Sequence, residues 1–206
     1  MKKLLTSLPP LLCIVALLLC MGCWKEKEQK TTVDFRIVEY GTNQPIENAR
    51  IILKQCESEF LGGTFCIELD TVFTDAQGRF KLDLSETPLA LELGISAENY
   101  FAFDGDYSLL WNRHNTGDIA LYPHAWLKVH IKNVNPFDVF DKLELGWVGG
   151  SNPIYGSDVD SILIYKLLGN RELSLSWAST KNNQIYFYKD SLYLPGHDTT
   201  FYEILY

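Results

Sequence analysis

Beyond residue 31 the hydrophobic positions recur at every second residue, and no stretch sustains the 3.6-residue period of an amphipathic helix. Val33, Phe35 and Ile37 alternate with Asp34 and Arg36, and Ala49, Ile51 and Leu53 with Arg50 and Lys54. Phe80, Leu82 and Leu84 alternate with Arg79, Lys81 and Asp83, and Leu89, Leu91, Leu93 and Ile95 carry the pattern to Glu98-Asn99-Tyr100. Each run predicts a strand with one face on a core and the other in water. A second block follows Leu121-Tyr122-Pro123. There Leu127, Val129 and Ile131 alternate with Lys128, His130 and Lys132, Asn133 to Phe137 interrupts, and Leu143, Leu145 and Trp147 resume. Further strands are expected from Ile162 to Leu167, Leu173 to Ala178, Ile185 to Tyr188 and Thr199 to Leu205.

The segments between the runs carry turn chemistry. In Thr74-Asp75-Ala76-Gln77-Gly78-Arg79, Asp75 can accept from the backbone ahead of it and Gly78 can take a positive φ; Gly41-Thr42-Asn43-Gln44-Pro45 forms an earlier turn. Gly169-Asn170 and Lys181-Asn182-Asn183 mark turns in the second block. The reading is an all-β chain of two small antiparallel β-sandwich domains, residues 32–122 and 123–206, the second with about six strands. The competing arrangement makes the later strands an extension of the first sandwich.

The run Gly41-x-x-x-Pro45-Ile46-x-Asn48-Ala49, then Thr74-Asp75-x-x-Gly78-Arg79-Phe80, then Ile95-x-Ala97-x-Asn99-Tyr100 resembles the carboxypeptidase regulatory-like domain. That resemblance covers residues 32–122 and implies a transthyretin-like, Ig-like sandwich of the kind found in bacterial surface and periplasmic proteins. Such domains usually serve as non-catalytic accessory or binding modules.

The beginning of the chain reads as an address. Lys2 and Lys3 precede an apolar run from Leu11 to Met21, too short to span a bilayer as a helix. It ends on Gly22-Cys23, which resembles the lipobox of bacterial lipoproteins, although Cys20 stands where that family usually has leucine. The resemblance implies that residues 1–22 are a lipoprotein signal peptide and that Cys23 is the lipidated (palmitate-bearing) first residue of the mature chain. Residues 23–31, Lys- and Glu-rich, would then be a solvated tether. Multiple acylation would anchor the protein to the outer membrane without spanning it, facing the periplasm or the exterior.

Net charge is −8, and losing the signal removes Lys2 and Lys3 and leaves the chain more acidic still. Nucleic acid is excluded as a partner by repulsion. Of five cysteines only Cys56 and Cys66 remain for the folded part. Their spacing suits neither a CxxC redox pair nor a zinc site, and an oxidising compartment favours a disulfide between them worth about 2–3 kcal/mol. Two buried free thiols are the alternative.

The sequence holds no GxSxG, HExxH, P-loop or Rossmann fingerprint. His124 and His130 would share one face of a strand yet stand roughly 20 Å apart, too far for one metal ion. His114 and His197 read as solvated loop histidines. Asp104-Gly105-Asp106 and Asp158-Val159-Asp160 offer carboxylates for calcium, without EF-hand spacing. The chain is therefore read as non-enzymatic, with no catalytic residues, metal or cofactor. Aromatic residues, 13% of the sequence, are more suggestive. Trp126 shares a face with Lys128 and His130, and Tyr186 and Tyr188 alternate with Ile185 and Phe187, so these three are candidate binding residues for a protein or glycan. The alternative is packing between the domains or against cross-strand neighbours. The expected role is a cell-envelope binding or structural module. The alternatives are an accessory module or weak metal-dependent hydrolase, or a surface filament subunit donating Thr199 to Tyr206.

Overall fold

The computed structural model describes residues 30–58, 64–84, 91–105, 110, 113–147 and 153–206. The expected signal peptide, Cys23 and the expected tether as far as Gln29 lie outside the described residues.

The first sandwich holds β1 (Thr31–Glu39), β2 (Arg50–Ser58), β3 (Thr64–Phe73), β4 (Arg79–Leu84), β5 (Leu91–Ser96), β6 (Phe103–Gly105) and β7 (His114–Leu121). The second holds β8 (His124–Lys132), β9 (Lys142–Leu145), β10 (Ile154–Tyr155), β11 (Asp160–Leu168), β12 (Arg171–Lys181), β13 (Gln184–Leu194) and β14 (Thr199–Leu205). The sheets are β4-β1-β7 over β3-β2-β5-β6, and β11-β8-β14 over β10-β9-β12-β13. Counted from its own first strand, each sandwich therefore has the order 4-1-7 over 3-2-5-6. The second has seven described strands rather than about six, because Ile154–Tyr155 is too short to show alternation.

Pairing is antiparallel except where the first and last strands of each sandwich meet. β1 runs parallel to β7 and β8 to β14. A parallel pair needs a long crossover, and here the rest of each sandwich is that crossover. The alternation sets which faces meet. Val33, Phe35, Ile37, Ile51, Leu53, Phe80, Leu93, Ile95 and Leu121 fill one core, and Leu127, Val129, Ile131, Leu143, Leu175, Leu194 and Ile204 fill another. Thr199–Leu205, considered above as a strand for donation, is bound along β8 and buries Ile204 in its own core. Donating it would open the sandwich that supplies it.

Turn chemistry follows the residues. Asp75 Oδ1 accepts from the Gln77 and Arg79 amides at 2.9 and 2.8 Å. Gly78 has φ +73°, and a Cβ there would stand 2.5 Å from the Ile37 carbonyl. Asn182 and Asn183, at φ 47° and 58°, make the two-residue turn that joins β12 to β13.

Only Tyr122 and Pro123 separate β7 from β8. The sandwiches meet end to end across that link around Glu39, the last residue of β1 and only 8% exposed. From the first sandwich Tyr100 Oη and Thr42 Oγ1 donate to it at 2.8 and 2.9 Å. From the second, Asn170 Nδ2 donates at 2.9 Å and His197 Nε2 lies at 2.8 Å. Burial pushes the Glu39 carboxyl up, but the hydrogen bonds from His197, Tyr100, Thr42 and Asn170 outweigh it and hold the group below the usual carboxylate range. His197 lies in a loop and is exposed, as expected, but its ring is committed to this junction carboxylate. His114 does not lie in a loop: it opens β7, with Nδ1 2.6 Å from Thr32 Oγ1.

Candidate functional site

At the end of the second sandwich away from the junction, the two sheets leave an open cleft of about 500 Å³. One wall is the inward side of β12 and β13, with Ser179, Lys181, Gln184, Tyr186 and Tyr188; the other is the segment after β8, Val134 to Phe137, with Leu205 and Tyr206 between them. A cleft of this size falls within the range of about 300–1,000 Å³ that accommodates a small ligand or the end of a larger one.

The 133–141 segment is shaped by a carboxylate. Asp141, 1% exposed, accepts from Asn133 Nδ2 and the Phe137 amide, each at 2.8 Å, and from the Asp138 amide at 3.4 Å. Burial raises its pKa, but the Phe137 amide, the Asn133 side chain, the Asp138 amide and the nearby Lys181 charge together hold it below the ordinary aspartate range. Lys181 reaches across from β12 to Asn133 Oδ1 at 2.8 Å and the Asn135 carbonyl at 2.5 Å, and its ammonium lies 5.1 Å from the centre of the Tyr206 ring. Burial lowers the Lys181 pKa, and Asp141 opposes that shift. Both walls are therefore tied together before any ligand arrives.

Tyr186 and Tyr188 stand on the same side of β13 as the core residue Leu194. The outward positions are Ile185 and Phe187. The tyrosines stay 46% and 43% exposed because β13 is the edge of its sheet and nothing covers them at this end. Tyr188 stacks on its cross-strand neighbour Trp177, with centroids 5.4 Å apart and planes 12° from parallel. Beyond the cleft the side of the sandwich is closed by Tyr202, whose hydroxyl donates to Asp190 Oδ2 at 2.6 Å; burial and this bond push the phenol up to about 12.

Trp126 does not join this group. It lies on the outer face of the opposite sheet, edge-on to His124 at 6.0 Å, and His124 is edge-on to Phe101 at 4.7 Å. That row of rings flanks the junction, so of the three aromatic candidates only Tyr186 and Tyr188 share a site. Asn133, Asp141 and Lys181, which build the cleft, were not singled out from sequence. The one visible signal was the break at Asn133-Val134-Asn135-Pro136 between two strands.

Cys56 and Cys66 are joined as a disulfide between directly opposed residues of β2 and β3. The pairing runs past them to Ser58 and Thr64, with a bulge after Leu53, so the bridge lies inside a hairpin rather than at the mouth of an unpaired loop. Glu92 sits beside it, with Cys66 Sγ at 3.9 Å. Among the described residues this is the one trio with metal-ligand spacing, and two of its three members are bonded to each other. Asp160 pairs with His130 Nε2 at 2.7 Å and Lys132 Nζ at 2.9 Å. Asp106 and the Asp104 side chain lie outside the described residues.

No protein-family model matches the chain. No curated protein matches it either. Solved structures give partial likenesses. A 9R-lipoxygenase from Cyanothece is 17% identical over 50% of this chain and 18% of its own, with TM-score 0.34. A minor pilin from Streptococcus agalactiae is 13% identical over 85% of this chain and 94% of its own, with TM-score 0.31. A DUF3823 family protein from Bacteroides uniformis is 8% identical over 81% of this chain and 100% of its own, with TM-score 0.30. This chain spans less than a fifth of the lipoxygenase. Scores this low carry no argument, and the all-β sandwich assignment rests on the chain's own strands and registers.

Proposed function

We propose that this chain is a lipid-anchored, non-catalytic binding protein of the cell envelope, holding an extracytoplasmic protein or glycan in the cleft of its second sandwich. The observation that carries the reading is the cleft, with walls preformed by Asp141 and Lys181 and exposed tyrosines held on a sheet edge. Its position supports the role. β1 runs from Thr31, the last residue assigned to the tether but buried in the strand, to Glu39 at the junction, and β8 runs from His124 at the junction to Lys132 beside the cleft. The start of β1 and the cleft are therefore separated along the chain path by two strands of about 30 Å each. At the junction, Asn170 and His197 of the second sandwich bond Glu39 of the first. Anchorage at the outer membrane rests on the Gly22-Cys23 sequence. Neither a hydrolase nor a filament subunit gains a specific supporting contact.

Fractionation of cells expressing the wild type and Cys23→Ala tests the anchor: the wild type should pellet with membranes and the variant should be released. External protease then separates surface from periplasmic exposure. For the binding role, the purified mature chain should be retained on isolated envelope material, and Tyr186→Ala with Tyr188→Ala should abolish retention without unfolding the protein. Equal retention of that double variant contradicts the reading.

A further inference from the structure

Resting on that binding reading, we infer that the cleft takes a neutral carbohydrate chain. A sugar ring has hydroxyls that both donate and accept, and an apolar C–H face. The cleft offers a match to each. Asn135, Asn182 and Gln184 place amides, and Ser179 a hydroxyl, around its lining, and an amide likewise donates and accepts. Tyr186 Oη donates to Gln184 Oε1 at 2.6 Å, a bond that uses neither the Gln184 amide nitrogen nor the Tyr186 oxygen's capacity to accept. Lys181 has three protons and directs two at Asn133 and Asn135, leaving one.

For the apolar face there are Tyr186 and Tyr188, two residues apart on one strand and so about 7 Å from each other. Tyr188 is pinned on one side by Trp177 and presents its other side. Phe137, 59% exposed, lines the opposite wall. Rigid aromatic faces beside adaptable polar groups suit a ring-shaped, hydroxylated ligand.

Charge narrows the class. No Asp or Glu side chain lines the cleft, and its single cationic side chain, Lys181, is partly offset by the charge of Asp141. With a net charge of −8 on the chain, an acidic glycan would gain little here and meet repulsion at long range. A polypeptide adding a strand to the free edge of β13 is the rival occupant. The wall next to that edge argues against it, because Ser179 and Lys181 on β12 provide no apolar socket for alternate side chains.

The test uses the full mature chain and isolated envelope material left untreated, oxidised with periodate to cleave sugar diols, or digested with protease. Soluble neutral oligosaccharides built on glucose, mannose, galactose and xylose serve as competitors, with Trp177 fluorescence as a local reporter beside Tyr188. The expected result is retention that survives protease, disappears after periodate and is competed by at least one of these sugars. Tyr188→Ala should weaken it about tenfold or more. Gln184→Ala, on the exposed flank of a turn, should weaken it about threefold without touching the core. Retention that survives periodate and is lost to protease overturns the carbohydrate assignment and leaves the binding reading standing. Periodate-sensitive retention unchanged in both variants also overturns it, by placing the sugar elsewhere. Absence of wild-type retention on untreated envelope removes both readings.

Discussion

In the first sandwich the long hairpin is β2–β3, with strands of nine and ten residues, whereas its counterpart in the second, β9–β10, has four and two. The fifth and sixth strands reverse the relation. β5 and β6 have six and three residues, against eleven each in β12 and β13. One strand order therefore supports two different outgrowths, and each solves its lack of cover differently. β3 carries exposed Phe65, Ile67, Leu69 and Phe73, and the Cys56–Cys66 bridge holds this hairpin together. The β12–β13 hairpin has no bridge. It is anchored at the junction end by Leu175 and Leu194 in the core and opens into the cleft at its turn. The lesson is that the core specifies the sandwich, and the hairpin that outgrows it is where binding can be added.

Breaking each core at an equivalent point should have the largest effect. Leu53→Ala on β2 and Leu143→Ala on β9, both buried, should each cost about 2–5 kcal/mol, read by denaturant unfolding. If the junction couples the sandwiches, either variant lowers a single shared transition. Glu39→Ala strands the half-buried donors of Tyr100 and Asn170 and should cost about 2 kcal/mol. It should also split calorimetric unfolding into two transitions; one unbroken transition in this variant would show that the sandwiches are coupled by something other than Glu39.

Next in size is the staple. Replacing Cys56 and Cys66 together by Ser should cost about 2–3 kcal/mol, confined to the first sandwich once the junction is cut. The smallest effect is a difference in pH response between the outer faces of the two three-stranded sheets. On β1, Asp34 is held below its usual range, chiefly by Lys81 and against a desolvation cost, so its contribution is present above the ordinary aspartate pKa and fades as pH falls through the lowered value. On β8, His130 lies between Asp160 and Glu203, which raise its pKa in that order. Its contribution is full below about pH 6.5 and fades as pH rises through the raised value. Thermal melts from mildly acidic to mildly alkaline pH should therefore weaken the second sandwich on the alkaline side, and His130→Gln should remove that slope.

Much of the scaffold was legible in the sequence because burial imposes a period of two: Val33, Phe35 and Ile37, or Leu127, Val129 and Ile131, could only be strands with one face on a core. The turn at Asp75 and Gly78 was legible for a similar local reason. The repeat of one strand order was not, since register and sheet partners are set by contacts far apart in sequence, and β10 is too short to alternate. The cleft was half legible. Tyr186 and Tyr188 stood out as aromatics alternating with Ile185 and Phe187, but which pair faces inward was not legible, because on an edge strand both faces are wet. Glu39, Asp141 and Lys181 gave no signal, since a buried charge is recognisable only once its donors are assembled around it.

The most direct measurement is hydrogen exchange across the whole mature protein, with and without solubilised envelope material. The account predicts new protection in β12, β13 and the 133–141 segment, with β2 and β3 unchanged. Protection centred on the disulfide-linked β2–β3 hairpin, or none in the second sandwich, would contradict it.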